Sequence, residues 1–181
     1  MSAVEKGTSL EERLKQAIRS VPDFPKPGIL FRDITPVLSD PALFRDTVEG
    51  LAGPFRNDRI SKVLGIESRG FIFGPPLALQ LGAGFVPARK RGKLPRETIR
   101  ETYALEYGTD SLEIHRDSFS PGERVLIVDD LLATGGTASG AARLVEKVGA
   151  QVVGAAFVVE LKFLDGRGKL PDRRVHVLVR Y

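Results

Sequence analysis

Asp129 and Asp130 stand side by side just before a loop of small residues, Ala133-Thr134-Gly135-Gly136-Thr137. Glycines let backbone N–H groups approach an anion closely, and a helix opening at the loop adds partial positive charge. The hydroxyls of Thr134 and Thr137 supply further donors. Such a loop suits a phosphate. Two carboxylates would be repelled by that phosphate, but they suit a polyol next to it, where each can accept hydrogen bonds from a ribose diol. The pattern therefore reads as a site for a phosphorylated sugar, with the loop on the 5′-phosphate and the acids on the 2′- and 3′-hydroxyls. A Gly-x-x-x-x-Gly-Lys-Ser/Thr loop is absent, as is a Gly-x-Gly-x-x-Gly turn after a strand.

The flanking residues are the elements that must hold this loop. Val125 to Val128 is a continuous apolar run, as expected of a strand buried on both faces. Ala138 to Val148 places Ala141, Leu144, Val145 and Val148 on one face of a helix. A second unit has the same order. Val63–Ile66 is a short buried strand, Glu67-Ser68-Arg69-Gly70 a polar loop, and Phe71–Leu81 a helix. In open α/β sheets such loops share one sheet edge, where ligands bind. Phe85–Ala88 is a further strand, leading into the basic cluster Arg89, Lys90, Arg91, Lys93 and Arg96. Glu97–Gly108 is polar and punctuated by glycine, which predicts a hairpin or a mobile lid. Ser111–Ile114, Val152–Val159 (with Glu160 at its end) and an edge strand Val175–Val179 complete the sheet. Strands alternating with helices predict an α/β fold: a mainly parallel twisted sheet flanked by helices.

Nearer the start, Ser9-Leu-Glu-Glu12 fits a capping box, followed by Leu10, Leu14, Ala17, Ile18 and Val21 at helical spacing. Asp40-Pro41 opens a second helix, with Leu43, Phe44, Val48, Leu51 and Ala52 inward. Between them Phe24–Pro36, with three prolines, reads as a stiff, non-helical connector carrying Phe31 and Arg32.

Composition narrows the chemistry. The 181 residues suit one domain, 1–181. There is no cysteine, hence no thiolate nucleophile, and two histidines leave no zinc site. A net charge of +4 could suggest nucleic acid, but the basic residues gather at 89–96 rather than along a helix face, so a polyanionic small substrate explains them. The uncharged run Gly70–Ala88 holds four glycines and three prolines, which favours a buried helix and strand over a membrane span. Residues 1–13 lack an apolar core of signal-peptide type, so a cytoplasmic location is expected.

Val125-Leu-Ile-Val-Asp-Asp-Leu-Leu-Ala-Thr-Gly-Gly-Thr137 resembles the phosphoribosyl-pyrophosphate (PRPP) signature of type I phosphoribosyltransferases, and its Asp-Asp wording is similar to the adenine-specific branch. The resemblance spans roughly Pro22 to Leu161 through four separate motifs. It implies that fold, with an N-terminal hood over the base (1–36) and a flexible catalytic loop (90–108). It implies transfer of ribosyl-5-phosphate from PRPP to N9 of adenine, giving AMP and pyrophosphate.

Residue by residue, Ala133, Thr134, Gly135, Gly136 and Thr137 match the phosphate-binding positions. Glu67, Ser68, Arg69, Gly70, Arg89, Lys90 and Lys93 match pyrophosphate positions, with a cis peptide expected between Glu67 and Ser68. Leu30, Phe31, Arg32 and Leu131 match the adenine site, with Phe31 stacking on the base. Glu106, Arg69, Asp129 and Asp130 match catalytic positions, and Tyr107 belongs to the lid. Mg²⁺ is expected to arrive on PRPP, with no all-protein metal site. A homodimer is implied as well, with no nucleic-acid or membrane partner. Two alternatives stay open: another purine or pyrimidine base, and a regulator that binds PRPP without catalysis.

Overall fold

The computed structural model describes residues 8–104 and 108–181. Its element order is α1 (Leu10–Ala17), β1 (Arg19–Pro22), β2 (Leu30–Asp33), α2 (Thr35–Ser39), α3 (Pro41–Ala52), β3 (Lys62–Ile66), α4 (Gly70–Leu81), β4 (Gly84–Lys90), β5 (Thr98–Ala104), β6 (Thr109–His115), β7 (Arg124–Leu132), α5 (Gly136–Lys147), β8 (Gln151–Glu160) and β9 (Arg174–Arg180). The main sheet has seven strands in the order β5-β6-β4-β3-β7-β8-β9. Strands β4, β3, β7, β8 and β9 are parallel, and β5 and β6 add an antiparallel hairpin at one edge.

Period-2 geometry explains why the central strands are apolar throughout. In β7, Val125 and Ile127 join a core that includes Ala141, Leu144 and Val145 of α5. Leu126 and Val128 join the opposite core, with Leu51 of α3 and Phe73 and Leu77 of α4. Ala155 and Phe157 of β8 divide from Ala156 and Val158 in the same way. Each strand thus has no solvated face.

The local signals at the chain start act as expected. Ser9 and Glu12 form a reciprocal capping box on α1, and the Asp40 side chain accepts from Ala42 and Leu43 to open α3. Segment 24–36 differs from the stiff connector expected. Leu30–Asp33 pairs antiparallel with Arg19–Pro22, and Thr35 and Pro36 begin α2. The hairpin left little trace in sequence because β1 is exposed along its length, so no apolar alternation marks it.

Strand order places the site. β3 leads through α4 to β4 on one side, and its other neighbour, β7, leads into α5. The carboxyl ends of β3 and β7 therefore flank a topological switch point, where a crevice opens between diverging helices.

Candidate active site

The acidic pair is built into β7 itself. Pairing of Leu131 with Val159 and Leu132 with Glu160 carries the strand beyond Val128, so the carboxylates project from regular backbone. The Asp130 N–H donates to Asp129 Oδ1 at 2.9 Å. Gly135 then takes φ +76° and caps α5, the left-handed conformation that glycine adopts without steric cost. The cleft of about 190 Å³ at this turn is lined by Arg69, Asp129, Asp130, residues 131–138 and Phe157.

Arg69 comes from the loop after β3. Its Nε lies 3.0 Å from Asp130 Oδ2. Burial pushes both carboxyls above the usual aspartate range; the charge of Asp130 adds to the rise at Asp129, while the Arg69 guanidinium opposes it at Asp130. The cleft thus holds two crowded acids and one cation, an arrangement that a ribose diol or a substrate-borne cation would relieve.

The Glu67–Ser68 peptide is cis, as the resemblance implied. Glu67 Oε2 accepts from Arg89 Nε at 3.0 Å and from the Lys90 N–H at 2.8 Å. The Arg89 hydrogen bond holds the Glu67 carboxyl below its usual range, aided by the charge of Lys93. Glu67 therefore braces Arg89 at the end of β4 beside the β3 loop. A Cβ on Gly70 would meet the Val128 carbonyl at 2.7 Å, so only glycine lets α4 start this close to β7. Lys93 is exposed. The Lys90 ammonium is turned away from Glu67, bonded to Asp110 and 3.4 Å from Tyr103 Oη.

The β1–β2 hairpin lies beside this edge. Phe31 and Phe24 meet edge-to-face with centroids 5.1 Å apart, and the Arg69 guanidinium carbon is 5.5 Å from the Phe31 ring centroid. Leu30 remains 47% exposed, leaving an apolar surface next to Phe31. Leu131 lines the cleft and packs on the α3–α4 core. Arg32 takes another direction: its guanidinium lies 3.6 Å over the Tyr181 ring and donates to Ser20 Oγ. Glu106 and Tyr107 lie outside the described residues.

Tyr181, the seat of Arg32, went unnoticed in the sequence, as did Phe157 on the cleft floor. Neither belongs to a local motif, and strand register alone brings them here.

A parallel sheet whose switch-point crevice joins an acidic strand end, a glycine loop and an arginine from the neighbouring strand's loop is the arrangement of a phosphoribosyltransferase. The phosphoribosyl transferase domain family matches residues 40–178. The adenine phosphoribosyltransferase of Solibacter usitatus is 60% identical over 168 residues, covering 93% of this chain and 97% of that protein. The crystal structure of adenine phosphoribosyltransferase from Rhodothermus marinus is 58% identical with a TM-score of 0.91, covering 95% of this chain and 98% of that one. The Saccharomyces cerevisiae enzyme, complexed with D-2,5-dideoxy-2,5-imino-altritol 1,6-bisphosphate and adenine, is 46% identical with a TM-score of 0.88, covering 93% and 98%. This chain belongs to the adenine phosphoribosyltransferase family.

Proposed function

We infer that this protein is a purine-salvage glycosyltransferase that moves the ribosyl-5-phosphate of PRPP to N9 of adenine, forming AMP and releasing pyrophosphate. The observation that carries the reading is the crevice in which Asp129–Asp130, the Ala133–Thr137 loop and Arg69 meet, with the Arg69 guanidinium carbon 5.5 Å from the Phe31 ring centroid. The yeast relative, bound to adenine and a bisphosphate sugar mimic, supports the choice of ligands.

Each part has a task. The amides and hydroxyls of Ala133–Thr137 hold the 5′-phosphate still, turning a bimolecular encounter into an oriented one. Asp129 and Asp130 take the ribose hydroxyls, and their charge favours the sugar as its C1′ becomes cationic. Arg69, Arg89, Lys90, Lys93 and the 67–70 amides receive the pyrophosphate as the C1′–O bond breaks. To reach it, Lys90 must exchange Asp110 and Tyr103 for the substrate.

Phe31, with Leu30, Leu131 and the backbone at Arg32, sets adenine so that N9 faces C1′ as its proton leaves. Of the segment 90–108 expected as a lid, Thr98–Ala104 is strand β5 of the main sheet, with Tyr103 buried in its core; Glu106, between β5 and β6 in sequence, is the candidate acceptor for that proton, with Tyr107 next to it in the chain. Residues 1–36 act as the hood, and closure of the lid excludes water that would otherwise hydrolyse PRPP.

Mg²⁺ fits this site as a substrate-borne ion. Among the described residues no cluster of three or more His, Cys, Asp or Glu side chains forms. The crowded pair Asp129–Asp130 has one cation, Arg69, against it. These two carboxylates would lean on the ion while the phosphates supply most of its ligands. When bound it neutralises charge developing on the pyrophosphate. Among the described residues no helix is long and apolar enough to cross a membrane. A cytoplasmic homodimer completes the reading.

The test is to mix the protein with Mg·PRPP and adenine, hypoxanthine, guanine, xanthine or orotate in turn, measuring pyrophosphate release and identifying the nucleotide. AMP from adenine alone is expected. Turnover with another base would overturn the hood assignment, and saturable PRPP binding without turnover would favour the regulator.

A further inference from the structure

Behind the phosphate loop runs a short helical turn, Gly166–Lys169. Its first residue touches the loop backbone to backbone. A Cβ on Gly166 would sit 2.3 Å from the Ala133 carbonyl oxygen and 3.0 Å from the Gly135 nitrogen. A Cβ on Gly135 would sit 2.2 Å from the Gly166 carbonyl oxygen. The loop that would grip the 5′-phosphate thus has a fixed wall on its far side.

The wall is tied to the sheet by the next residue. Arg167 forms a two-pronged pair with Glu160, Nε to Oε1 at 2.6 Å and Nη2 to Oε2 at 3.0 Å, and its Nη1 donates to the Val175 carbonyl at 3.1 Å. Glu160 ends β8 and is 4% exposed. It is in register with Leu132 of β7 on one side and Arg180 of β9 on the other, and Arg180 Nε donates to its Oε2 at 3.2 Å. Leu132 is the residue immediately before the phosphate loop. One buried carboxylate therefore fixes the turn against the strand end from which the loop departs.

We propose that Arg167 and Glu160 are positioning residues for PRPP: by fixing Gly166, they set the backbone of Ala133–Gly135 before the 5′-phosphate arrives. A loop containing adjacent glycines has many conformations of its own, and donors held in place pay no reorganisation on binding. The carboxylate is buried and the guanidinium partly exposed (side chains 5% against 38%), so loss of the arginine would also strand a buried charge, and the test must separate binding from folding. The proposal rests on the phosphoribosyl-transfer reading.

Two variants test it. Arg167→Lys keeps the charge beside Glu160 and removes the fork. Gly166→Ala drives a methyl group into the Ala133 carbonyl. For each we would measure the Kd for Mg·PRPP, KM for adenine at saturating PRPP, kcat, and folding by circular dichroism. The expected result is a Kd for Mg·PRPP weakened about tenfold or more, with KM for adenine changed by less than about twofold and kcat largely kept. An unchanged Kd, or a fall in kcat that matches lost folded protein with both substrates affected alike, overturns the positioning role while wild-type activity stands. If Gly166→Ala does not fold, Arg167→Lys decides alone. A wild-type protein that neither makes AMP nor binds Mg·PRPP overturns the activity and this role together.

Discussion

Arg69 Nε stands 3.0 Å from Asp130 Oδ2, joining the carboxyl ends of β3 and β7 across 61 residues of chain. The two ends are unequal: the Asp130 side chain is 5% exposed and that of Arg69 39%. Asp130 is thus a fixed point, while Arg69 reaches into the cleft and can share its N–H groups with a substrate. The same guanidinium lies near the Phe31 ring. One side chain from the loop after β3 therefore meets both the acidic pair and the β1–β2 hairpin.

Removing that cation tests its role in the reaction. Arg69→Ala should lower kcat by about 10²–10³, or ~2.7–4 kcal/mol, by analogy with loss of one oxyanion donor. Steady-state kinetics with Mg·PRPP and adenine give the number. A loss below about tenfold (~1.4 kcal/mol) would place Arg69 outside the transition-state contacts.

The acidic pair predicts opposite effects on activity and stability. Burial, then the neighbouring charge of Asp130, raises the Asp129 carboxyl well above its usual range. The folded protein therefore holds this proton more tightly than the unfolded chain. Its contribution to stability is present at low pH and is lost as pH rises from the ordinary aspartate range through the raised folded pKa. Ionisation of Asp129 in the folded protein is therefore destabilising. Asp129→Asn should raise Tm at pH 7, by about 0.5–2 kcal/mol in stability, while lowering AMP formation. The gain should narrow as pH falls toward about 4, the ordinary aspartate value. Calorimetric scans across that range would refute the account if the variant melted lower at pH 7.

Phe31 is expected to act on the base alone. Phe31→Ala removes a stacking face worth ~1–3 kcal/mol by comparison with single-strand nucleic-acid binders. KM for adenine should rise accordingly, about 5- to 150-fold, with the Kd for Mg·PRPP near that of wild type. An equal loss for both substrates would instead mean that the ring, held against Phe24, organises the whole hood.

How much of this was legible in the chain follows from distance along it. The capping box at Ser9–Glu12 and the Asp40 cap each lie within one helical turn, so the residues announce the element. The strand–acid–glycine–helix order of 125–147 is likewise contiguous, and the resemblance rests on it. The β1–β2 hairpin was not legible, because neither strand buries a regular face. The Lys90 contacts with Asp110 and Tyr103 were hidden too, since they arise only when β4, β6 and β5 align side by side.

The sequence by itself determined the strands of the parallel sheet, the starts of α1 and α3, the strand–glycine loop–helix order of 125–147 and the likeness to phosphoribosyltransferases, because these depend on side-chain periodicity and on residues a few bonds apart. The tertiary structure decided which distant groups meet: Arg69 with Asp130, Arg32 with Tyr181, Gly166 with Gly135, Arg167 with Glu160. The physical reason is register. Strand order and pairing set which loop ends are neighbours, and that pairing is chosen by burial of two whole sheet faces rather than by any short run of residues.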